Sequence, residues 1–431
     1  MAKNIPFPIK TKTSCLLKWN WSNILLTTGE VRSCHRNKRI KIPKDNFDNF
    51  HNLPYYLDHR RSMLEGNWPN SPNHPGCGYC KKIEDAGGRS DRQYVTETMF
   101  DQTPDELEKD PTAIEVTPAV LEIFLSNTCN LSCTYCRVGN SSKIEAESKK
   151  YSNQKEFNEF YFGKIEENLS REEINEYKEL CLDWLARKGT SLRRFHLLGG
   201  EPFYTPEFSE FVDIWEKYPN PNLIFNVVSN VNVQYNTWKK QIAKILKLVK
   251  NKNIENFELT ASIDCWGPEQ EYIRSGFKCE LAEKNILYYL DQPEVKYLNI
   301  NSTHSLMSLP VYYKLLEKKI EWEKISGKKI RMFGMSVMSK HVDIGTLGGN
   351  FYIQSIKDII KIHPRDNWDD QQSLKTINGI IKTVLNSEPD LEKIQHFIKV
   401  YDELDRRRRT NWREVFPNIA KEIEKYKNDL V

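Results

Sequence analysis

Apolar residues follow two rhythms along this chain. From about residue 117 onward, short apolar runs rich in Val, Ile, Leu and Phe alternate with longer stretches whose apolar positions recur every three to four residues. The short runs predict strands at 120–126, 194–198, 223–229, 257–263, 295–303 and 329–337. The longer period predicts helices near 171–187, 206–217, 238–249, 278–290 and 311–322. Strands alternating with helices argue for parallel βαβ units and an α/β fold. Ahead of this region, 16–31 reads as a hairpin turning near Thr28-Gly29-Glu30. The charged stretch 145–167 has little apolar periodicity and reads as an insertion between the first strand and its helix. The tail 391–431 reads as helices broken at Pro417. No internal repeat is visible.

A chain of 431 residues can bury a sizeable core. Mean hydropathy is −0.65, and no apolar stretch approaches the roughly 20 residues that span a bilayer. The N-terminus lacks the apolar core of a signal peptide, so the expectation is a soluble, cytoplasmic protein with no membrane partner. Sixty-three basic residues against 59 acidic ones leave a net charge of +4. That balance gives no field of the kind that nucleic acid calls for. The arginine run 406–409 follows Asp402, Glu403 and Asp405 and reads as the solvated face of a terminal helix.

Ten cysteines change the picture. A reducing compartment disfavours disulfides, so clustered cysteines point to metal or redox cofactors. Cys129, Cys133 and Cys136 follow the first strand within Cys-Asn-Leu-Ser-Cys-Thr-Tyr-Cys. Three soft sulfur ligands in eight residues face one centre only if the chain wraps around it, and thiolates select iron–sulfur clusters or zinc over hard cations. Zinc sites usually finish with a distant Cys or His pair; this triplet has no obvious local fourth ligand.

Cys129-x3-Cys133-x2-Cys136, with aromatic Tyr135 before the last cysteine, resembles the cluster loop of the radical S-adenosylmethionine (radical SAM) enzymes. The resemblance implies a [4Fe-4S] cluster with one open iron that chelates S-adenosylmethionine and cleaves it to a 5'-deoxyadenosyl radical. It implies a partial (βα)6 TIM-like barrel over 115–340, followed by a mostly helical C-terminal extension over 341–431.

Leu198-Gly-Gly-Glu-Pro202 ends the second strand. Taken alone it reads equally well as an ordinary strand-end turn, with glycines where a backbone approaches closely. Beside the cysteine loop it resembles the family's GGEP motif, which implies that Gly199, Gly200 and Glu201 bind the methionine amino group of S-adenosylmethionine. Ser262 ends the fourth strand, and Arg274, a planar fork suited to a carboxylate, follows twelve residues later. The same spacing in relatives implies contacts to the ribose and carboxylate. Asp264 resembles the Asp of the family's Ser-Ile-Asp-Gly, with Cys265 in place of the glycine. Ser229-Asn230 and Asn301-Ser302 also close strands, while His196 and His304 read as hydrogen-bonded core histidines. Cys181 lies on a helical apolar face and reads as core.

Cys15, Cys34, Cys77 and Cys80 form a second set, the last two after a Pro/Asn/His-rich turn at 69–76. On spacing alone, structural zinc and an iron–sulfur cluster stand level. The segment from Arg61-Ser-Met-Leu-Glu-Gly66 through Gly88-Arg-Ser-Asp-Arg-Gln93 resembles a twitch module, the shortened relative of the SPASM domain. That implies a second, auxiliary [4Fe-4S] cluster within a small module over 1–95. Such modules commonly follow the barrel; here the cysteines precede it. The resemblance further implies an electron donor such as flavodoxin or ferredoxin and, by analogy, a peptide or protein substrate. A small metabolite, sugar or nucleotide is the alternative substrate. A non-enzymatic iron–sulfur or zinc redox sensor is the reading from a different class.

Overall fold

A computed structural model describes residues 7–69, 75–98, 103–165, 168–337 and 339–429. Most of the turn expected at 69–76 lies outside the described residues. The chain forms two compact units: Met1–Ser126, Glu167–Val227 and Lys244–Phe257 in the first, and Asn127–Glu166, Val228–Ala243 and Glu258–Val431 in the second.

The described strands are β1 (Trp21–Leu25), β2 (Glu30–Arg32), β3 (Ile40–Lys41), β4 (Val120–Phe124), β5 (Arg194–Leu198), β6 (Asn220–Ser229), β7 (Ile254–Ser262), β8 (Tyr297–His304) and β9 (Lys329–Ser336). The first unit carries the order β3-β2-β1-β4-β5-β6 and the opening residues of β7. There β4 pairs in parallel with β5, and β5 with β6. The second unit carries the rest of β7 with β8 and β9, again parallel. All six strands expected from the short apolar runs are present, and the protein is an α/β fold with a mostly parallel sheet.

The hairpin is present from Trp21 to Arg32, with Asn23 opposite Arg32 and Leu25 opposite Glu30, but Leu16–Asn20, expected as its opening, forms a short helix. Gly29 makes its turn with φ +62°, a conformation that favours glycine, and a Cβ there would stand 2.3 Å from the Tyr177 ring. The sequence did not reveal where this hairpin goes. β1 lies parallel to β4, Trp21 opposite Val120 through Leu25 opposite Phe124. The N-terminal segment therefore extends the sheet. All five β4 residues are buried, as suits a strand with neighbours on both sides and cover on both faces.

Helices occupy the expected places. Arg171–Lys188 opens on a capping box in which Ser170 and Glu173 satisfy each other's backbone N–H groups. Cys181 is buried within it, as its apolar face requires. The charged stretch after β4 folds into Ser142–Lys150 and Lys155–Phe162. The tail gives Leu391–Arg408, Trp412–Val415 and Pro417–Glu424, with Pro417 at the first position of the last. Among the described residues no helix is long and apolar enough to cross a membrane.

The arginine run departs from its expected solvated face. Arg407 is buried: its Nε pairs with Glu403 Oε1 at 2.5 Å, its Nη1 donates to Asn158 Oδ1 at 2.9 Å, and it also bonds Gln154. Arg408 pairs with Glu147 at 3.0 Å. Arg406 does stay on the surface, paired with Glu403. Residues from the insertion supply these partners, and a helical period cannot show that.

Candidate functional site

Three cysteines sit in the loop that leaves β4, and its backbone is fastened along its whole length within the second unit. Cys129 N–H donates to Ser142 Oγ at 3.1 Å, and Ser141 Oγ donates to Leu131 O at 2.8 Å. Ser132 and Thr134 N–H groups donate to the carbonyls of Ser275 and Ile273 at 2.9 and 2.8 Å. Gly276, with φ +98°, allows that approach, since a Cβ there would stand 3.2 Å from Asn130 O. The C-terminal segment grips the same loop: Tyr401 OH donates to Thr134 Oγ1 at 3.1 Å and His341 Nε2 lies 3.3 Å from Thr134 O. This extension is thus part of the site's scaffold, which no motif announced.

Cys133 is buried, while Cys129 and Cys136 are half-buried. Burial pushes the Cys133 and Cys136 thiols up, and for Cys136 the charges of Cys133 and Cys129 push further. Leu131 N–H and Asn230 Nδ2 donate to Cys129 Sγ at 3.4 and 3.9 Å. An all-sulfur donor set with amide N–H groups on one sulfur suits an iron–sulfur group or zinc, and such bonds tune a cluster's potential. Among the described residues no three Cys, His, Asp or Glu side chains already converge on a point that a single metal ion would occupy.

Tyr135 points into a buried polar knot. Its OH donates to Asp264 Oδ2 at 2.5 Å, and Arg274 donates from Nε to Oδ2 at 3.0 Å and from Nη2 to Oδ1 at 2.9 Å. Thr303 N–H adds a fourth bond at 2.8 Å. Burial opposes the Arg274 charge, but Asp264 and its neighbours hold the guanidinium well above its usual range. Burial likewise keeps Tyr135 a phenol. Arg274, expected to hold a ligand carboxylate, has its fork on Asp264 in this structure. Ser262 is half-buried at the end of β7, opposite Asn301, and Ser302 Oγ donates to Ile263 O at 2.7 Å. Cys265 is fully buried and bonds Gln270. His304 is a buried core residue, edge-on to Tyr312 at 4.6 Å.

Gly199, Gly200 and Glu201 belong to the first unit. A Cβ on Gly199 would stand 2.6 Å from Ser126 O, and Gly200 N–H donates to that same oxygen at 2.8 Å. Close approach of two strand ends therefore accounts for this glycine on its own. Glu201 is fully buried and its Oε1 accepts Phe203 N–H at 3.3 Å.

The first unit also gathers the other four cysteines. Cys15 precedes the helix Leu16–Asn20, Cys34 follows β2, and Cys77 and Cys80 lie on the helix Pro75–Asp85. Cys15 and Cys77 belong to an apolar cluster with Phe7, Leu16, Trp19 and Met63. Burial pushes Cys15 up to about 12, with Lys18 opposing and Cys34 and Cys77 adding to it. Cys77 and Cys80 are likewise raised by burial, with the Cys34 charge adding to both. Buried Lys18 reaches Ser33 Oγ at 3.2 Å and Cys34 Sγ at 3.8 Å. Burial would lower its pKa, yet the sulfur charges hold it above the usual range. Lys18 is a counter-charge for thiolates that spacing alone did not bring out. Arg60, fully buried, braces the segment by donating to the carbonyls of Lys18, His51 and Ile114 at 2.7, 2.9 and 2.6 Å.

No protein-family model matches the chain, and no curated protein does. Among solved structures, SuiB of Streptococcus suis bound to S-adenosylmethionine is 13% identical, with a TM-score of 0.33 over 79% of this chain and 67% of that one. A second SuiB structure gives 13% and 0.34 over 80% and 69%. TYW1 with a lysine-pyruvate adduct bound gives 18% and 0.28 over 57% and 69%. Likeness this distant fixes neither family nor activity.

Proposed function

We propose that the chain is a radical S-adenosylmethionine enzyme. The observation that carries this reading is the three-cysteine loop itself: three sulfurs in eight residues, on a loop fastened by backbone bonds on both flanks. Cys129, Cys133 and Cys136 would hold a [4Fe-4S] cluster, which together with S-adenosylmethionine would supply a 5'-deoxyadenosyl radical for abstracting hydrogen from a substrate. Tyr135 and Asp264 orient the loop. Tyr135, Gly199, Gly200, Glu201, Ser262 and Arg274 are the residues proposed to hold S-adenosylmethionine, with Arg274 exchanging part of its Asp264 pairing for the ligand carboxylate. Cys15, Cys34, Cys77 and Cys80 are proposed to hold an auxiliary [4Fe-4S] cluster, with Lys18 offsetting its thiolate charge. A peptide or protein is the proposed substrate class, a partial barrel the proposed frame, and flavodoxin or ferredoxin the proposed donor.

Anaerobic reconstitution followed by dithionite and S-adenosylmethionine tests the reading, with 5'-deoxyadenosine as the expected product. Iron should number roughly eight per chain and fall to about four when Cys129, Cys133 and Cys136 are all replaced by Ala, if each site holds four irons. An intact cluster that releases no 5'-deoxyadenosine would overturn the proposal.

A further inference from the structure

Two helices of the second unit, Lys155–Phe162 and Leu391–Arg408, flank an open cavity of about 1020 Å³. At one end Phe160 stands edge-on to His396, with ring centroids 6.1 Å apart; at the other the Arg407 guanidinium lies 4.7 Å from the Phe157 ring. The helices therefore run antiparallel with a groove between them. Phe157, Phe160 and Tyr161 recur at the three- and four-residue spacing that places side chains on one helix face, and all three line the groove. The Tyr161 ring packs against Phe157 at 4.7 Å and Phe160 at 4.8 Å. Phe160 is nonetheless 63% exposed. An aromatic stripe left open within a polar rim marks an interaction site.

The rim decides what fits. Lys155, Lys399 and Arg406 face the groove with Glu156, Asp402 and Glu403. Most of this charge is already matched. Asp402 accepts from Arg413 Nη1 at 2.5 Å and from Trp412 Nε1 at 2.9 Å. Glu403 pairs with Arg406 at 2.7 Å and with Arg407 at 2.5 Å, and Lys155 lies 3.8 Å from Glu159. Glu156 stands in the first turn of its helix, where the N-terminal dipole favours a carboxylate. Lys399 is different. Exposed in the middle of its helix, it has no ion-pair partner among the described residues and no helix end to offset its charge.

One unmatched cation beside an aromatic stripe complements a ligand with an apolar body and a single carboxylate. Three carboxylates on the same rim repel a polyanion such as nucleic acid. The volume stands at the upper end of small-molecule sites, about 300–1000 Å³, and a groove between helices seats peptides through apolar anchors. We propose that this groove docks a segment of the peptide substrate, apolar where it meets Phe157, Phe160 and Tyr161 and carrying a carboxylate for Lys399. This deepens the peptide reading above and rests on it for the occupant, while docking itself requires neither iron nor S-adenosylmethionine.

The full-length protein, free of iron and S-adenosylmethionine, is titrated calorimetrically at low salt with N-acetyl-Leu-Phe-Glu-Leu-Phe amide. The comparison ligand is the same peptide with Gln in place of Glu. The Glu peptide should bind about fivefold more tightly, the upper worth of an exposed ion pair. Lys399→Gln should abolish that preference and leave the Gln peptide's affinity unchanged. Phe160→Ala should weaken both peptides about tenfold, as loss of an aromatic anchor does, with unchanged far-UV circular dichroism. If Phe160→Ala does not fold, Lys399→Gln together with the wild-type preference decides. Equal binding of the two peptides, binding of neither, a preference that survives Lys399→Gln, or wild-type affinity in Phe160→Ala overturns the proposal. Peptide binding without 5'-deoxyadenosine formation would remove the radical reading and leave the groove, whereas 5'-deoxyadenosine without peptide binding would remove the groove alone.

Discussion

Asp264 organises more of the candidate site than its motif position suggested. Its carboxylate accepts bonds from Tyr135, Thr303 and both prongs of Arg274, and neither it nor Arg274 has water to fall back on. Removing the charge of one partner in a buried pair leaves the other uncompensated, at a cost of about 3–5 kcal/mol. Asp264→Asn should lose stability of that order in urea unfolding, and a wild-type midpoint would refute the dependence of Arg274 on it. A second residue-scale effect comes from His304 and His341, both lowered by burial to about 4. Their folded values lie below the unfolded value of about 6.5, so the unfolded chain binds the protons first as pH falls. Their contribution is complete above pH 6.5 and is lost as pH drops toward 4. Between pH 7 and 5 each should cost about 2 kcal/mol, read as a falling urea midpoint; a flat profile would contradict it. The burial of these two side chains was half legible. His304 stands on a recognisable strand, whereas His341 lies in the short 3-10 turn Lys340–Val342, whose partner, Thr134, is some two hundred residues away.

Elements repeat the same division. The six parallel strands and the helices between them follow from local periodicity, because burial on one stripe or on both faces imprints a period that needs no knowledge of the partner. The helix Leu391–Arg408 shows where that stops. Its arginines alternate between solvent and interior according to what the segment 142–162 offers. Arg407→Ala removes a buried guanidinium from Glu403, Asn158 and Gln154 and should cost about 3–5 kcal/mol. Arg406→Ala, on the exposed face, should leave the denaturant midpoint where it is. Equal effects of the two substitutions would restore the solvated-face reading of the run.

At the scale of the whole molecule, the N-terminal segment cannot be subtracted. β1 covers the edge of β4 over five residues, so deleting residues 1–53 would expose a buried, all-apolar edge apart from Glu122, a template for aggregation. The truncated chain should be recovered aggregated in gel filtration, whereas a monomer with native circular dichroism would show the segment to be a separable module. The sequence by itself determined the α/β class, the strand and helix places, and the two cysteine groups, because periodicity and ligand spacing are local properties of a chain. Only the tertiary structure decided that β1 joins β4, that Asp264 holds Tyr135 and Arg274, that Lys18 stands beside Cys34, and that the C-terminal helix grips the cysteine loop. Each of those depends on which distant group fills a given volume or satisfies a given charge, and such long-range pairings leave no period in the sequence.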